Sequence, residues 1–203
     1  ITGNLKREDS MGNSGELNSG DLQWMTAGSG IIHSEMPLQK NGQMKGFQLW
    51  VNLPAKEKMQ SPKYKDIKSS QITHVKEGTT EIKIFAGNYK NNLGPIQGLS
   101  TMLEFYEIKI GIDEIILETS KSKNYFVYVF EGSIKMNNIK LDTRHGICFS
   151  ETTIFSTNSE AKFLLIGGKP LNEPIVQYGP FVMNTQQEIS QAIEDFGWNK
   201  FRS

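Results

Sequence analysis

A chain of 203 residues with 22 Lys+Arg against 22 Asp+Glu has no net charge, which argues against a broad electrostatic footprint for direct nucleic-acid or membrane binding. Its single cysteine, Cys148, rules out an intrachain disulfide and favours a reducing compartment; the expected setting is cytoplasmic, and nuclear too for a eukaryotic source. The longest apolar run, Tyr125 to Phe130, falls far short of the roughly 18 residues of a membrane span, while the length allows one large β domain or two small ones.

The chain opens on Ile1-Thr2-Gly3-Asn4, without an initiator Met or a signal pattern, as if in mid-structure. Asn4 to Glu8 reads as a strand. Residues 9–15 are dense in turn formers, Glu16-Leu17 resumes a strand, and 18–21 turns again. A hairpin this early leaves its barrel short of strands unless they lie upstream or come from another chain. Gly20 to Met36 then reads as a turn, a short strand, a glycine turn and a second strand. That second strand carries His33 and Glu35, two positions apart and so on one face. On an interior face, an imidazole nitrogen and a carboxylate oxygen would converge on one point, a donor set suited to iron, manganese, nickel or copper. The alternative is a hydrogen-bonded core histidine with Glu35 as its partner or as an edge charge.

After a polar loop, 36–43, the alternation of Phe47, Leu49, Val51 and Leu53 with Gln48, Trp50 and Asn52 predicts a half-buried strand over 45–53. Gln48 is read either as a hydrogen-bond donor lining the metal pocket or as a surface amide. Trp24 and Trp50 are read as packing residues. Pro54 to Ser70 has the composition of a linker, its lysines interrupted by Glu57 and Asp66 as on a solvated surface. His74 falls in the same polar region as a surface histidine. Glu81 to Ala86 is a short strand, and 87–98 a glycine- and asparagine-rich loop.

A second β module starts near Thr101 with a strand through Ile110. Tyr125 to Lys135 predicts a hairpin turning at Glu131-Gly132, Asn137-Asn138 another turn, and Gly146 to Phe149 and Phe163 to Ile166 further strands. Cys148, between Ile147 and Phe149, is expected as a buried structural thiol. His145 falls in a turn. Short strands separated by glycine turns indicate a jelly roll. At the end, Thr185-Gln-Gln-Glu188 is a capping box, and Ile189, Ala192, Ile193 and Phe196 give an amphipathic helix ending at Gly197.

The string Gly-Asp-Leu-Gln-Trp-Met-Thr-Ala-Gly-Ser-Gly-Ile-Ile-His-Ser-Glu-Met-Pro from Gly20 closely resembles the second metal motif of the pirin family of double-barrel cupins. Gly46 to Leu53, Pro54-Ala55-Lys56 and Val176 to Thr185 resemble other blocks of that family. The resemblance spans about Gly3 to Phe196. It implies an all-β bicupin, two jelly-roll barrels with a C-terminal helix and the first barrel incomplete. The implied divisions are 1–60 for the C-terminal part of the metal-site barrel, 61–100 for a linker and bridging strands, 101–182 for the second barrel, and 183–203 for the helix.

By the same resemblance Thr2-Gly3-Asn4 matches the turn after the family's His-x-His, so two expected histidine ligands are absent from this chain. His33 and Glu35 would hold Fe²⁺ or another divalent first-row metal, Glu35 as ligand or as a base for the substrate hydroxyl and His33 as ligand only. In the second barrel, counting back from Gly132 puts Glu118 and Ser120 where the histidines would be and Thr157 opposite His33, so no metal is expected there. Some relatives are flavonol 2,3-dioxygenases on quercetin-like substrates. The rival expectation is a non-catalytic redox reporter that reaches transcription through a protein partner, or an inactive fragment.

Overall fold

The computed structural model describes residues 2–38 and 42–198, which fall into two compact units: the described residues up to 70 together with those from 171 onward, and 71–170. In the first unit, β1 (Leu5–Asp9) and β2 (Ser14–Leu17) form a hairpin; β3 (Leu22–Thr26) and β4 (His33–Pro37) follow, then the single-turn α1 (Ala55–Lys58) and β5 (Lys63–Ile67). β1 is the middle strand of a three-stranded antiparallel sheet ordered β2-β1-β4, and β3 pairs with β5.

The turns of this unit are set by side chains. The Asp9 carboxylate accepts hydrogen bonds from the Met11 and Asn13 backbone N–H groups (2.9 and 3.0 Å) and shapes the β1–β2 turn. Asp21 accepts from Asn18 N–H and from Ser69 N–H (3.1 and 2.8 Å), tying the turn before β3 to the end of β5. At Gly28 the backbone has φ +55° and a Cβ would lie 2.0 Å from the Gln60 carbonyl oxygen, so only glycine fits the turn between β3 and β4.

The second unit contains β6 (Thr73–Glu77), β7 (Thr80–Ala86), the two-residue β8 (Asn88–Tyr89) and β9 (Asn92–Leu93), β10 (Glu104–Ile110), β11 (Glu114–Leu117), β12 (Asn124–Glu131), β13 (Ser133–Met136), β14 (Ile139–Asp142), β15 (Gly146–Phe149), β16 (Thr153–Ser156) and β17 (Ala161–Gly168). They build a six-stranded sheet, β15-β12-β17-β10-β7-β6, and a four-stranded one, β11-β16-β13-β14, a jelly-roll sandwich. Alternation places Ile82, Ile84, Ile108, Ile110, Val127, Val129, Phe163 and Leu165 on the inner face of the first sheet. Ile115, Leu117, Ile134, Met136 and Phe155 form the inner face of the second. Burying a side chain of this size stabilises by about 1.5–3 kcal/mol each, which makes this cluster the main apolar core.

The first unit is completed by β18 (Val176–Tyr178), β19 (Phe181–Met183) and α2 (Gln186–Gly197). The capping box forms: Glu188 N–H donates to Thr185 Oγ1 (3.2 Å), and Thr185 N–H to Glu188 Oε2 (2.8 Å). Ile189 is fully buried and Ala192 half-buried, whereas Ile193 and Phe196 stay exposed. The part of the expected terminal segment beyond Trp198 lies outside the described residues.

Several expectations are corrected. Over 45–53 only Lys45 pairs, in an isolated bridge with Thr2, and no strand is formed by 46–53 among the described residues. Alternation specifies the faces of a strand but supplies no ladder partner. The stretch 54–70 is not only linker, because β5 pairs along its whole length with β3; its polar sequence hid it. β6 and β7 extend the large sheet of the second unit, so His74 lies on a strand, exposed. Tyr125 to Lys135 is not a hairpin: at Gly132, φ +72°, the chain passes from the six-stranded sheet to the four-stranded one. Cys148 is exposed, because on β15 it is Ile147 and Phe149 that pack on the core. Trp50 is also exposed.

Candidate metal centre

The site begins with the antiparallel ladder between β1 and β4. His33 stands opposite Asp9 and Glu35 opposite Arg7, and directly opposed residues share a face. One face of the sheet therefore carries Arg7, Asp9, His33 and Glu35 together. His33 Nδ1 lies 3.7 Å from Glu35 Oε1, with the two side chains 29% and 35% exposed. The pair is thus reachable from solvent, while Arg7 and Asp9 on the neighbouring strand are shut away from it.

Arg7 ties this face to β5. Its Nη2 donates to Asp66 Oδ2 at 2.8 Å, and its guanidinium sits 4.6 Å from the centre of the Tyr64 ring, a cation–π contact. Asp66 also accepts from Gln23 Nε2 at 3.3 Å. Burial pushes the Asp9 carboxyl up, but hydrogen bonds from the Asn13 side chain and from the Asn13 and Met11 backbone, with the charge of Arg7, outweigh it and hold Asp9 below its ordinary value. Burial raises the Tyr64 hydroxyl, and the negative charges of Asp9, Glu35 and Asp66 add to the rise against Arg7.

As a donor set, one imidazole and one carboxylate suit a divalent first-row metal. They are two donors of the three or four that fix such an ion, and among the described residues no group of three or more His, Cys, Asp and Glu side chains could hold one. His33 and Glu35 are therefore brought together as a pair, and Gln48 is exposed. Arg7, Asp9, Tyr64 and Asp66 were not foreseen in this neighbourhood. The parity of Leu5, Arg7 and Asp9 on β1 was the available signal, since it sets a charged residue on the inner face.

The corresponding positions of the second unit are differently furnished. Glu118 and Ser120 are exposed, with Ser120 Oγ 2.8 Å from Ser122 Oγ. Thr157 is buried, its hydroxyl within hydrogen-bond distance of the Ser133 and Ser159 carbonyls (2.8 and 2.6 Å). His145 is exposed with Nδ1 3.1 Å from the Asp142 carbonyl oxygen.

Two family models match: Pirin over residues 1–51, and the Pirin C-terminal cupin domain over 111–202. Pirin-1 of Arabidopsis thaliana is 37% identical over 97% of this chain and 71% of its own length. Pirin of Homo sapiens is 36% identical over 96% and 69%. Among solved structures, a quercetin 2,3-dioxygenase from Acinetobacter baumannii superposes with a TM-score of 0.90 at 32% identity, covering all of this chain and 74% of that one. The bacterial pirin YhhW of Escherichia coli in complex with nickel(II), at 19% identity over 84% of this chain and 70% of its own, shares the fold with a TM-score of 0.66. With a jelly-roll sandwich in its second unit and identities of 37% and 36% to these pirins, this chain belongs to the pirin family.

Proposed function

We propose that this chain carries part of the metal site of a pirin-type dioxygenase of quercetin-like flavonols, contributing His33 and Glu35 as two of the donors to Fe²⁺. The observation that carries the reading is the His33–Glu35 pair, 3.7 Å apart and partly open to solvent, on a face otherwise lined by buried charged groups. A first-row dication held there would supply Lewis acidity and redox access to dioxygen. The quercetin 2,3-dioxygenase among the solved relatives supports the choice of a flavonol.

In this reading His33 is a neutral ligand only. Glu35 is a ligand, or the base that takes the proton of the flavonol hydroxyl when it is not bound to metal, its side chain being partly open to solvent. Iron is proposed over nickel, although YhhW was crystallised with nickel(II).

The test is oxygen uptake by the Fe²⁺-loaded protein with quercetin, compared with His33→Ala and Glu35→Gln. Quercetin-dependent uptake that both substitutions abolish supports the reading. Metal binding with no uptake would instead favour a non-catalytic metal-dependent protein acting on transcription through a protein partner. Uptake with nickel(II) but not iron would overturn the metal assignment.

A further inference from the structure

The second unit holds a cavity of about 270 Å³, lined by Ile96, Leu99, Met102 and Leu103 together with Glu104 and Lys123. Ligand pockets usually run from about 300 to 1,000 Å³, so this one has room for a single ring. Its walls are tied in place. Gln97 Nε2 donates to the Gly87 and Gly94 carbonyls (2.7 and 3.0 Å), and a Cβ on Gly87, φ +85°, would lie 2.6 Å from the Leu103 carbonyl oxygen. The Met102 N–H donates to the Leu99 carbonyl (2.9 Å), closing a turn that holds Met102 in the left-handed region, φ +48°, with its side chain exposed. That conformation is costly for a residue with a long side chain.

The polar end of the cavity is an ion pair. Lys123 Nζ donates to Glu104 Oε1, the two side chains being 8% and 18% exposed. An ammonium carries three donors, and Glu104 is the one hydrogen-bond partner of this one among the described residues. Buried donors are nearly always met, because leaving them unmet is costly, and here an oxygen in the cavity can meet them. We infer that this cavity binds a neutral single-ring phenol whose oxygen accepts from Lys123. Glu104 already offsets the charge of Lys123, so a carboxylate gains little attraction there. Ile96, Leu99 and Leu103 supply apolar walls for the ring, and the Met102 thioether is suited to an aromatic edge. The site belongs to the unit that lacks His33 and Glu35, and it needs neither the metal nor the flavonol reading.

The experiment is an amide-resolved NMR titration of the 203-residue protein with phenol, with toluene, which has the ring without the oxygen, and with benzoate. Wild type is compared with Leu99→Trp, which fills the cavity and leaves the ion pair intact, and with Lys123→Met, which removes the ammonium; circular dichroism establishes that each is folded. Phenol should bind wild type about three- to tenfold more tightly than toluene, the scale of one hydrogen bond, and should shift the Gly98, Met102 and Lys123 amides. Leu99→Trp should abolish that binding, and Lys123→Met should erase the preference for phenol over toluene. Should Lys123→Met fail to fold, the toluene comparison and Leu99→Trp decide. Toluene or benzoate binding as tightly as phenol, shifts confined to the first unit, no binding to wild type, or unchanged phenol affinity in folded Leu99→Trp would each overturn the inference.

Discussion

Arg7 stands directly across the β1–β4 ladder from Glu35, and its guanidinium turns away to Asp66 Oδ2 at 2.8 Å. The Arg7 cation is thereby engaged with β5, and the Glu35 carboxylate stays beside His33, 3.7 Å from its Nδ1. The same contact clamps the β3–β5 pair onto the three-stranded sheet.

Removing that clamp should loosen the first unit. Arg7→Met keeps much of the stem but strands Asp66, and Asp66 is 31% exposed, so water can take over part of its solvation. The expected loss is about 1.5–3 kcal/mol, the range for a hydrogen bond to a charged group. It should appear in urea unfolding followed at Trp24, which lies on β3 in the affected unit. An unchanged midpoint would show that the clamp contributes nothing.

Acid should destabilise the same unit through Asp9. Its folded pKa lies below the ordinary carboxylate value, so its contribution is complete above the unfolded pKa of about 3.9 and is lost as the pH falls through the folded value. Urea midpoints should therefore decline below about pH 4. Asp9→Asn should be less stable near neutrality and show a shallower acid decline. Glu188, held low first by the Thr185 hydroxyl and then by the Asn184 and Thr185 N–H groups, titrates in the same direction and forms the background to subtract.

Gly28→Ala should cost more than Gly12→Ala, although both glycines have positive φ. At Gly28 the new Cβ meets the Gln60 carbonyl oxygen at 2.0 Å, whereas at Gly12 nothing lies within 4 Å. Gly12→Ala should cost about 1 kcal/mol, from backbone strain alone, and Gly28→Ala clearly more. Thermal unfolding of the two variants gives the comparison.

Much of the fold was legible because the informative segments obey one rule at a time. The period-2 run of Tyr125 to Phe130, the glycine turns around His33 and the capping box at Thr185 each specify their own local structure. What was hidden depended on partners. β5 has the sequence Lys-Tyr-Lys-Asp-Ile, and its Tyr64 and Asp66 make sense only against Arg7, 57 and 59 positions earlier. The opposite error occurred at 45–53, where a clean alternation met no ladder partner beyond Lys45. At Gly132 the local signal for a turn was right, but whether a turn closes a hairpin or carries the chain between sheets is decided by which strands arrive later, here β14 to β17. The His33–Glu35 pair was legible from its spacing of two. Its polar surroundings were not, because Arg7 and Asp9 come from β1 and Tyr64 and Asp66 from the distant β5.

The central claim is that His33 and Glu35 hold the metal, and anaerobic calorimetric titration of Fe²⁺ into the folded protein, beside His33→Ala and Glu35→Gln, tests it most directly. Loss of either donor should weaken binding at least about tenfold, taking as a floor the effect of losing an outer-shell contact. Equal Fe²⁺ affinity in wild type and both folded variants would contradict the account and place the metal elsewhere.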